Sequence, residues 1–149
     1  EYLIPAPPGV PVAEYPTRDY RRLTGPNKDF PEECYEHAVI PEPGGSVPVA
    51  VVNRELGLGA YQVYNKDQFH FHTMWRMLGE GTYGVAMEPT TNRDAGRFDA
   101  RERGELAYLA PGEARTYDLE IGILDGADAI EAFAKRVDAL IKTTADHRA

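Results

Sequence analysis

The sequence predicts a mainly-β fold, an antiparallel β-sandwich with a single C-terminal α-helix. Three observations point there. Short runs in which polar and apolar residues alternate recur from Tyr2 to Ile123, the period of half-buried strands. Turn-forming residues separate those runs, with 14 glycines and 12 prolines in 149 residues, enough for many tight turns and short of a low-complexity chain. Only beyond Asp125 do apolar residues recur at helical spacing. Closely spaced strands followed by one helix fit a sandwich better than alternating β/α units.

Taken in order, Tyr2-Leu3-Ile4 is a brief apolar run, followed by Pro5, Pro7, Pro8, Pro11 and Pro16. That pattern predicts an edge strand and then extended, polyproline-like chain. Thr17 to Pro31 is polar, with Gly25-Pro26-Asn27 as a turn signal, and predicts a long covering loop. Glu32 to Ile40 leads into a strand, and Pro41 to Ser46 is a turn. Val47 to Asn53 and Gly59 to Asn65 are the arms of an antiparallel hairpin. Asp67 to Met77 and Thr82 to Asn92 are two strands around a Gly-rich break, with Pro89 ending the ladder because it lacks an N–H. Arg93 to Arg103 is a charged loop, Glu105 to Leu109 a short strand, and Ala110-Pro111-Gly112-Glu113 a tight turn. The last strand, Arg115 to Ile123, carries Tyr117, Leu119, Ile121 and Ile123 on one face. A helix over about 126–142 follows. Asp125 is placed to cap it and Asp128 to favour its first turn, while Ile130, Phe133, Val137, Leu140 and Ile141 make its apolar stripe.

A net charge of −8 and a pI near 5.0 argue against nucleic acid as a partner, since phosphate contacts need basic surface. Cys34 is the single cysteine, so an internal disulfide scaffold is excluded. No apolar run approaches the roughly 18 residues of a membrane span, and no signal-peptide pattern opens the chain; the expectation is a cytoplasmic protein with no membrane partner. The chain opens with the β-like run Glu1-Tyr2-Leu3-Ile4-Pro5 and no initiating Met. It is therefore expected to be either a single domain over 1–149 or the C-terminal part of a larger one.

The stretch Asp67 to Asn92 concentrates the chemistry. In its first strand Phe69, Phe71, Thr73, Trp75 and Met77 share one face, and His70, His72, Met74 and Arg76 the other. The second strand ends at Glu88, where partial desolvation between Met87 and Pro89 would raise the carboxyl pKa and suit it to general-base work. Together the two strands are expected to present two imidazoles, a guanidinium and a carboxylate to one hollow. The His70/His72 spacing also occurs at metal sites on strands, with Glu88 or His37 as a third ligand, but it lacks a signature, and sugar hydrogen bonding fits better. Arg97, Arg101 and Arg103 alternate with Asp99, Glu102 and Glu105, a salt-bridged loop or a reader of anionic groups. Trp75 is core or a stacking platform for a sugar ring.

Several of these residues resemble the C-terminal part of aldose 1-epimerases (galactose mutarotases). Gly84-Val85-Ala86-Met87-Glu88-Pro89, the charged loop after it, and Leu109-Ala110-Pro111-Gly112-Glu113-Ala114 are similar to a family pattern. There a strand ends in the catalytic glutamate, and a leucine-x-proline-glycine-glutamate turn leads to the last strand. Trp75-Arg76-Met77 and the terminal helix are shared with a poorly characterised bacterial branch, and Tyr2-Leu3-Ile4-Pro5 resembles the strand after the family's catalytic histidine. The resemblance implies a β-supersandwich that binds an aldose in its concave face. Glu88 would be the base that takes the anomeric proton. Tyr35-Glu36-His37 would match an aromatic-acid-His motif that holds sugar hydroxyls, with Glu replacing the usual Asp. His70, His72 and Arg76 would line the pocket wall, beside Trp75 and Arg97, which the residues themselves suggest as substrate-binding candidates. The implied function is interconversion of the anomers of a monosaccharide or sugar derivative, with no cofactor and no metal. The family's general-acid histidine belongs to a segment upstream of Tyr2, so an N-terminal fragment or second chain is expected to complete the fold. Two alternatives stand beside this one: a non-catalytic carbohydrate-binding module, and a metal-dependent sugar isomerase or lyase using His70, His72 and Glu88.

Overall fold

The computed structural model describes residues 1–7, 10–11, 19–94 and 96–146; Pro8 and Pro16 of the N-terminal stretch lie outside them. The elements are β1 (Tyr2–Leu3), β2 (Val10–Pro11), β3 (Glu33–Glu36), β4 (Ser46–Asn53), β5 (Leu58–Asn65), β6 (Phe71–Gly79), β7 (Thr82–Thr90), α1 (Gly96–Glu102), β8 (Leu119–Asp125) and α2 (Ala127–Asp146). Two four-stranded antiparallel sheets result. Sheet I has the order β1-β4-β5-β8 and sheet II the order β2-β3-β6-β7.

Turn chemistry sets the register. Between β4 and β5 the Asn53 side-chain oxygen accepts the backbone N–H of Glu55 and of Leu56, both at 3.0 Å. Gly57 then turns back at φ +65°, a conformation that favours glycine. The β6–β7 hairpin closes through Glu80-Gly81 alone, with Gly79 paired to Thr82, the two-residue loop that matches strand twist.

Val47, Val49 and Tyr64 of sheet I meet Tyr35, Met74, Val85 and Met87 of sheet II to form one core. On the far side of sheet I, α2 lays Ile130, Phe133, Ala134 and Val137 against Leu3, Ala50, Val52 and Leu124, so the helical spacing marked the face that packs. Gly122 is part of that fit: a Cβ there would stand 2.5 Å from the Tyr61 ring, and Tyr61 in turn packs on Phe133 with ring centroids 5.5 Å apart.

Five expectations need correcting. Residues 105–109 form no strand, and part of the charged loop is the short helix α1. There Ala100 is buried, and its carbonyl accepts the Glu105 N–H at 2.8 Å. β6 begins at Phe71 because Asn65 gathers the chain into a turn, its carbonyl accepting the N–H groups of Gln68 and Phe69; His70 is left outside the strand. α2 starts after Gly126, whose carbonyl accepts the Ile130 N–H at 3.3 Å, so Asp125 ends β8 and does not occupy the cap position. Finally, Pro89 does not end the ladder: it pairs with His72, and Thr90 with Phe71, so β7 runs to Thr90. On β8, Leu119, Ile121 and Ile123 are exposed, with Ile121 at 72% and Ile123 at 69%.

The largest difference lies in β6. Its polar-looking face, His72, Met74, Arg76 and Leu78, is the buried one, and Phe71, Thr73, Trp75 and Met77 face outward from the sandwich. Burial of the polar pair is possible because both are satisfied inside. The His72 ring nitrogens meet the hydroxyls of Tyr2 at 2.6 Å and Tyr64 at 2.9 Å. Arg76 grips the Glu33 carboxylate through Nε and Nη2, each 2.7 Å from Oε2. Its Nη1 also donates to the carbonyls of Asp19 and Arg22, which pins the covering loop. No helix among the described residues is long and apolar enough to cross a membrane.

Candidate functional site

The outward face of sheet II is where ionisable groups converge. Cross-strand pairing aligns Glu36 of β3 with Thr73 of β6, and Thr73 with Glu88 of β7. Residues directly opposite share a face, so two carboxylates flank one hydroxyl across three strands. Beyond Glu88 the chain turns through Thr90, Thr91, Asn92, Arg93 and Asp94, and with Thr73 and Glu88 these line a cavity of about 250 Å³. That is a little below the roughly 300–1,000 Å³ of drug-sized pockets, and it suits a small polar molecule. Two larger hollows, of about 570 and 930 Å³, lie elsewhere and do not include Glu88.

Arg93 organises the rim. Its Nη1 donates to Glu36 Oε2 at 2.9 Å and its guanidinium lies 4.8 Å from the centre of the Phe71 ring. The Asp94 N–H donates to the other Glu36 oxygen at 3.1 Å. Glu36 is thus engaged at both oxygens by the loop that closes the cavity. Glu88 has the opposite character. Partial burial pushes its carboxyl pKa up, and the neighbouring Asp94 charge adds to the shift, as desolvation and like charge both disfavour ionisation. The Cys34 thiol on the same face is pushed up to about 12 by burial and then by Asp94. It is a protonated, unreactive thiol at neutral pH.

The expected hollow shared by Glu88 and the histidines does not exist. Glu88 pairs with Thr73, one residue from His72, and a shift of one residue moves a side chain to the other face of a sheet. His72 and Arg76 are 0% and 1% exposed within the sandwich. Burial holds the His72 pKa down to about 3, with His37 contributing, so its imidazole is neutral at pH 7. His37 lies beyond the end of β3 and is also buried. Its pKa is lowered to about 4 by burial and then by Arg21, and both its ring nitrogens lack a hydrogen-bond partner among the described residues. The Tyr35-Glu36-His37 triplet is therefore divided: Glu36 faces the cavity side, Tyr35 and His37 the core. His70 is exposed ahead of β6, and Arg97 is exposed on α1; neither lines the cavity. Trp75 shares the outward face, but its ring lies over Gly84, where a Cβ would come within 3.2 Å. Its Nε1 donates to Glu32 at 2.5 Å. It leans away from Glu88, toward the other end of β7.

Thr73 and the five residues from Thr90 to Asp94 are the cavity residues that sequence reasoning did not single out. The signal for Thr73 was present in the strand alternation, once register is known; Arg93 and Asp94 arrive only through the fold of the loop. The trio His70, His72 and Glu88 does not assemble as ligands, since β6 and β7 hold His72 and Glu88 on opposite faces. Among the described residues no group of three or more His, Cys, Asp or Glu side chains is arranged to hold a metal.

Comparison with known proteins adds the following. A family model described as "Domain of unknown function (DUF4432)" matches residues 8–123. No curated protein matches the sequence. Among solved structures, the crystal structure of a "putative aldose 1-epimerase" from Klebsiella pneumoniae subsp. pneumoniae MGH 78578 superposes with a TM-score of 0.76 at 22% identity. The match covers 82% of this chain and 32% of that one. The chain thus spans about a third of the length of its structural neighbour, and the likeness at this identity is one of fold.

Proposed function

We propose that this chain, which belongs to the DUF4432 family and has an aldose 1-epimerase-like fold, binds a monosaccharide at the outward face of sheet II and takes part in interconverting its anomers, with Glu88 as the general base. The supporting observation is the Glu88 carboxyl itself: half-buried at the end of a strand, in a cavity of hydroxyl and carboxylate groups, with its pKa raised by desolvation and by Asp94. A raised pKa makes a carboxylate a stronger base.

In the proposed reaction the Glu88 carboxylate takes the proton of the anomeric hydroxyl. The electron pair of that O–H becomes the second bond of a C1 carbonyl as the bond from C1 to the ring oxygen breaks, and the ring oxygen takes up a proton. Rotation about the bond between the first and second carbons, and the reverse steps, give the other anomer. Acid help to the ring oxygen would come from a histidine outside residues 1–149, as the resemblance implies. In this reading Asp94, on the cavity wall, meets the sugar hydroxyls, and Arg93 holds Glu36 in position.

A specific observation favours the second reading, a non-catalytic sugar-binding module: among the described residues, none of His37, His70 and His72 lines the Glu88 cavity. Glu88→Gln separates the two. Polarimetry on freshly dissolved aldoses should show anomer exchange falling by roughly 10²–10⁴-fold, with sugar affinity retained. Unchanged exchange in the variant would end the catalytic assignment, and absence of exchange in the unaltered protein beside measurable sugar binding would favour the module.

A further inference from the structure

On the outward face of sheet II, the row next to Glu36, Thr73 and Glu88 consists of Cys34, Trp75 and Ala86, aligned across β3, β6 and β7. Cys34 and Ala86 are small, so the strip between Glu88 and the Trp75 ring is floored by a thiol and a methyl group. The indole is fixed from two sides. Its Nε1 donates to the exposed Glu32 carboxylate, just before β3, at 2.5 Å. The far end of its six-membered ring lies over Gly84 of β7, where a Cβ would meet Cζ3 at 3.2 Å. Trp75 belongs to neither apolar core and stays half-buried, whereas Thr73 in the next row is 2% exposed. An aromatic that packs no core, is held in one orientation and keeps part of its surface open is a pre-organised platform for an apolar ring face. This platform is out of reach of a ring bound at Glu88. Gly84 and Glu88 are four residues apart on β7, roughly 13 Å along an extended strand, which is more than one pyranose spans.

We propose that the outward face of sheet II carries a second carbohydrate subsite, formed by Trp75 with Cys34, Ala86 and Glu32, which takes the second pyranose of a C4-linked disaccharide or of a longer chain's reducing end. The inference rests on the sugar-binding reading of the Glu88 cavity and extends its substrate from a free monosaccharide to a saccharide of two or more units. C4 lies across the pyranose from C1, so with C1 at Glu88 a C4-linked unit continues in line along the sheet. Its apolar face lies on the indole, as an amphipathic ring stacks on an aromatic one. Glu32 accepts a hydroxyl at the rim, and the small side chain of Ala86 leaves room for the link between the two rings.

Trp75 is the one tryptophan of these 149 residues, and the indole emission that Trp75→Leu removes is its own. The complete natural protein is titrated with lactose and cellobiose, and with galactose and glucose, following that emission and, by calorimetry, the affinity. The disaccharides should shift the emission and bind roughly tenfold more tightly than the monosaccharides, the scale of one aromatic contact. The monosaccharides should bind without the shift. Trp75→Leu should bring the ratio of disaccharide to monosaccharide affinity to about one. Ala86→Leu should do the same by blocking the path between the subsites with Trp75 in place, and it decides the matter should Trp75→Leu fail to fold. Equal affinities for the two classes in the unaltered protein, a shift with galactose or glucose as large as with lactose, or an unchanged ratio in either variant would each overturn the proposal. Disaccharide-selective binding without anomer exchange would end the catalytic reading and leave this subsite standing. Exchange of galactose or glucose with no preference for the disaccharides would do the reverse, and binding of no sugar would overturn both.

Discussion

Glu88 and His72 stand on neighbouring strands, one register step apart, and face opposite sides of the same sheet. The imidazole is in the core, bonded by Tyr2 and Tyr64; the carboxylate lines an open cavity. Their roles must therefore separate in experiment.

If the sugar reaction is present, Glu88→Gln should abolish its acidic limb together with most of its rate, while His72→Gln should lower stability and leave the shape of the pH–rate profile unchanged. The acidic limb belongs to Glu88 and should lie above the usual range of a free glutamate, following its raised pKa. A limb that moves in the His72 variant would contradict this division.

Glu88 also bears on stability, with a definite sign. A carboxyl whose folded pKa is raised binds its proton more tightly in the folded state. Its favourable contribution is present below the ordinary value of 4.5 and is lost as pH rises through the folded value. At pH 7 the ionised group destabilises the fold, so Glu88→Gln should raise the urea midpoint at pH 7 and change it little at pH 4. A lower midpoint at pH 7 would refute the assignment of Glu88 as a strained carboxylate.

The two buried histidines act in the other direction. Their folded pKa values, about 4 for His37 and about 3 for His72, lie below the ordinary 6.5. Between those values and 6.5 the unfolded chain binds the protons, so stability is full above 6.5 and falls as pH drops toward 4. The slope is at most about 1.4 kcal/mol per pH unit for each histidine. Because neither His37 ring nitrogen has a partner among the described residues, His37→Phe should remove its share of the slope and raise stability at pH 5. Urea titrations from pH 7 to 5 check both points, and a flat profile in the unaltered protein would refute them.

Arg76 and Glu33 form a fully buried pair. Arg76→Met should cost roughly 3–5 kcal/mol by stranding the carboxylate, and adding Glu33→Gln should recover part of that loss. Chemical denaturation of the two single variants and the double gives the coupling; additive losses would show that the pair does not act as a unit. Arg76→Met should also speed proteolysis within residues 19–30, since Arg76 Nη1 holds the carbonyls of Asp19 and Arg22.

Much of the scaffold was legible in the sequence. The β4–β5 hairpin, the strands on either side of Glu80-Gly81 and the terminal helix all announce themselves, because turn residues and periodicity are local signals. What stayed hidden was orientation. Alternation in β6 says that His72 and Arg76 share a face, but whether that face looks inward depends on Tyr2, Tyr64 and Glu33, which come from other strands. A polar face reads as exposed until its partners are known. The cavity was half legible: Glu88 lies near the end of its strand, two residues before β7 stops at Thr90, whereas Asp94 and Arg93 reach it through loop geometry that no period encodes.

β6 keeps structural and surface chemistry on separate sides of one backbone. The side that bonds tyrosines and a buried carboxylate tolerates little change, while Phe71, Thr73 and Trp75 on the reverse lie outside the core between the sheets, Thr73 being 2% exposed. Ligand preference at Thr73 and its neighbours can thus drift, or be redesigned by saturation of those positions, without disturbing the residues that keep the chain folded.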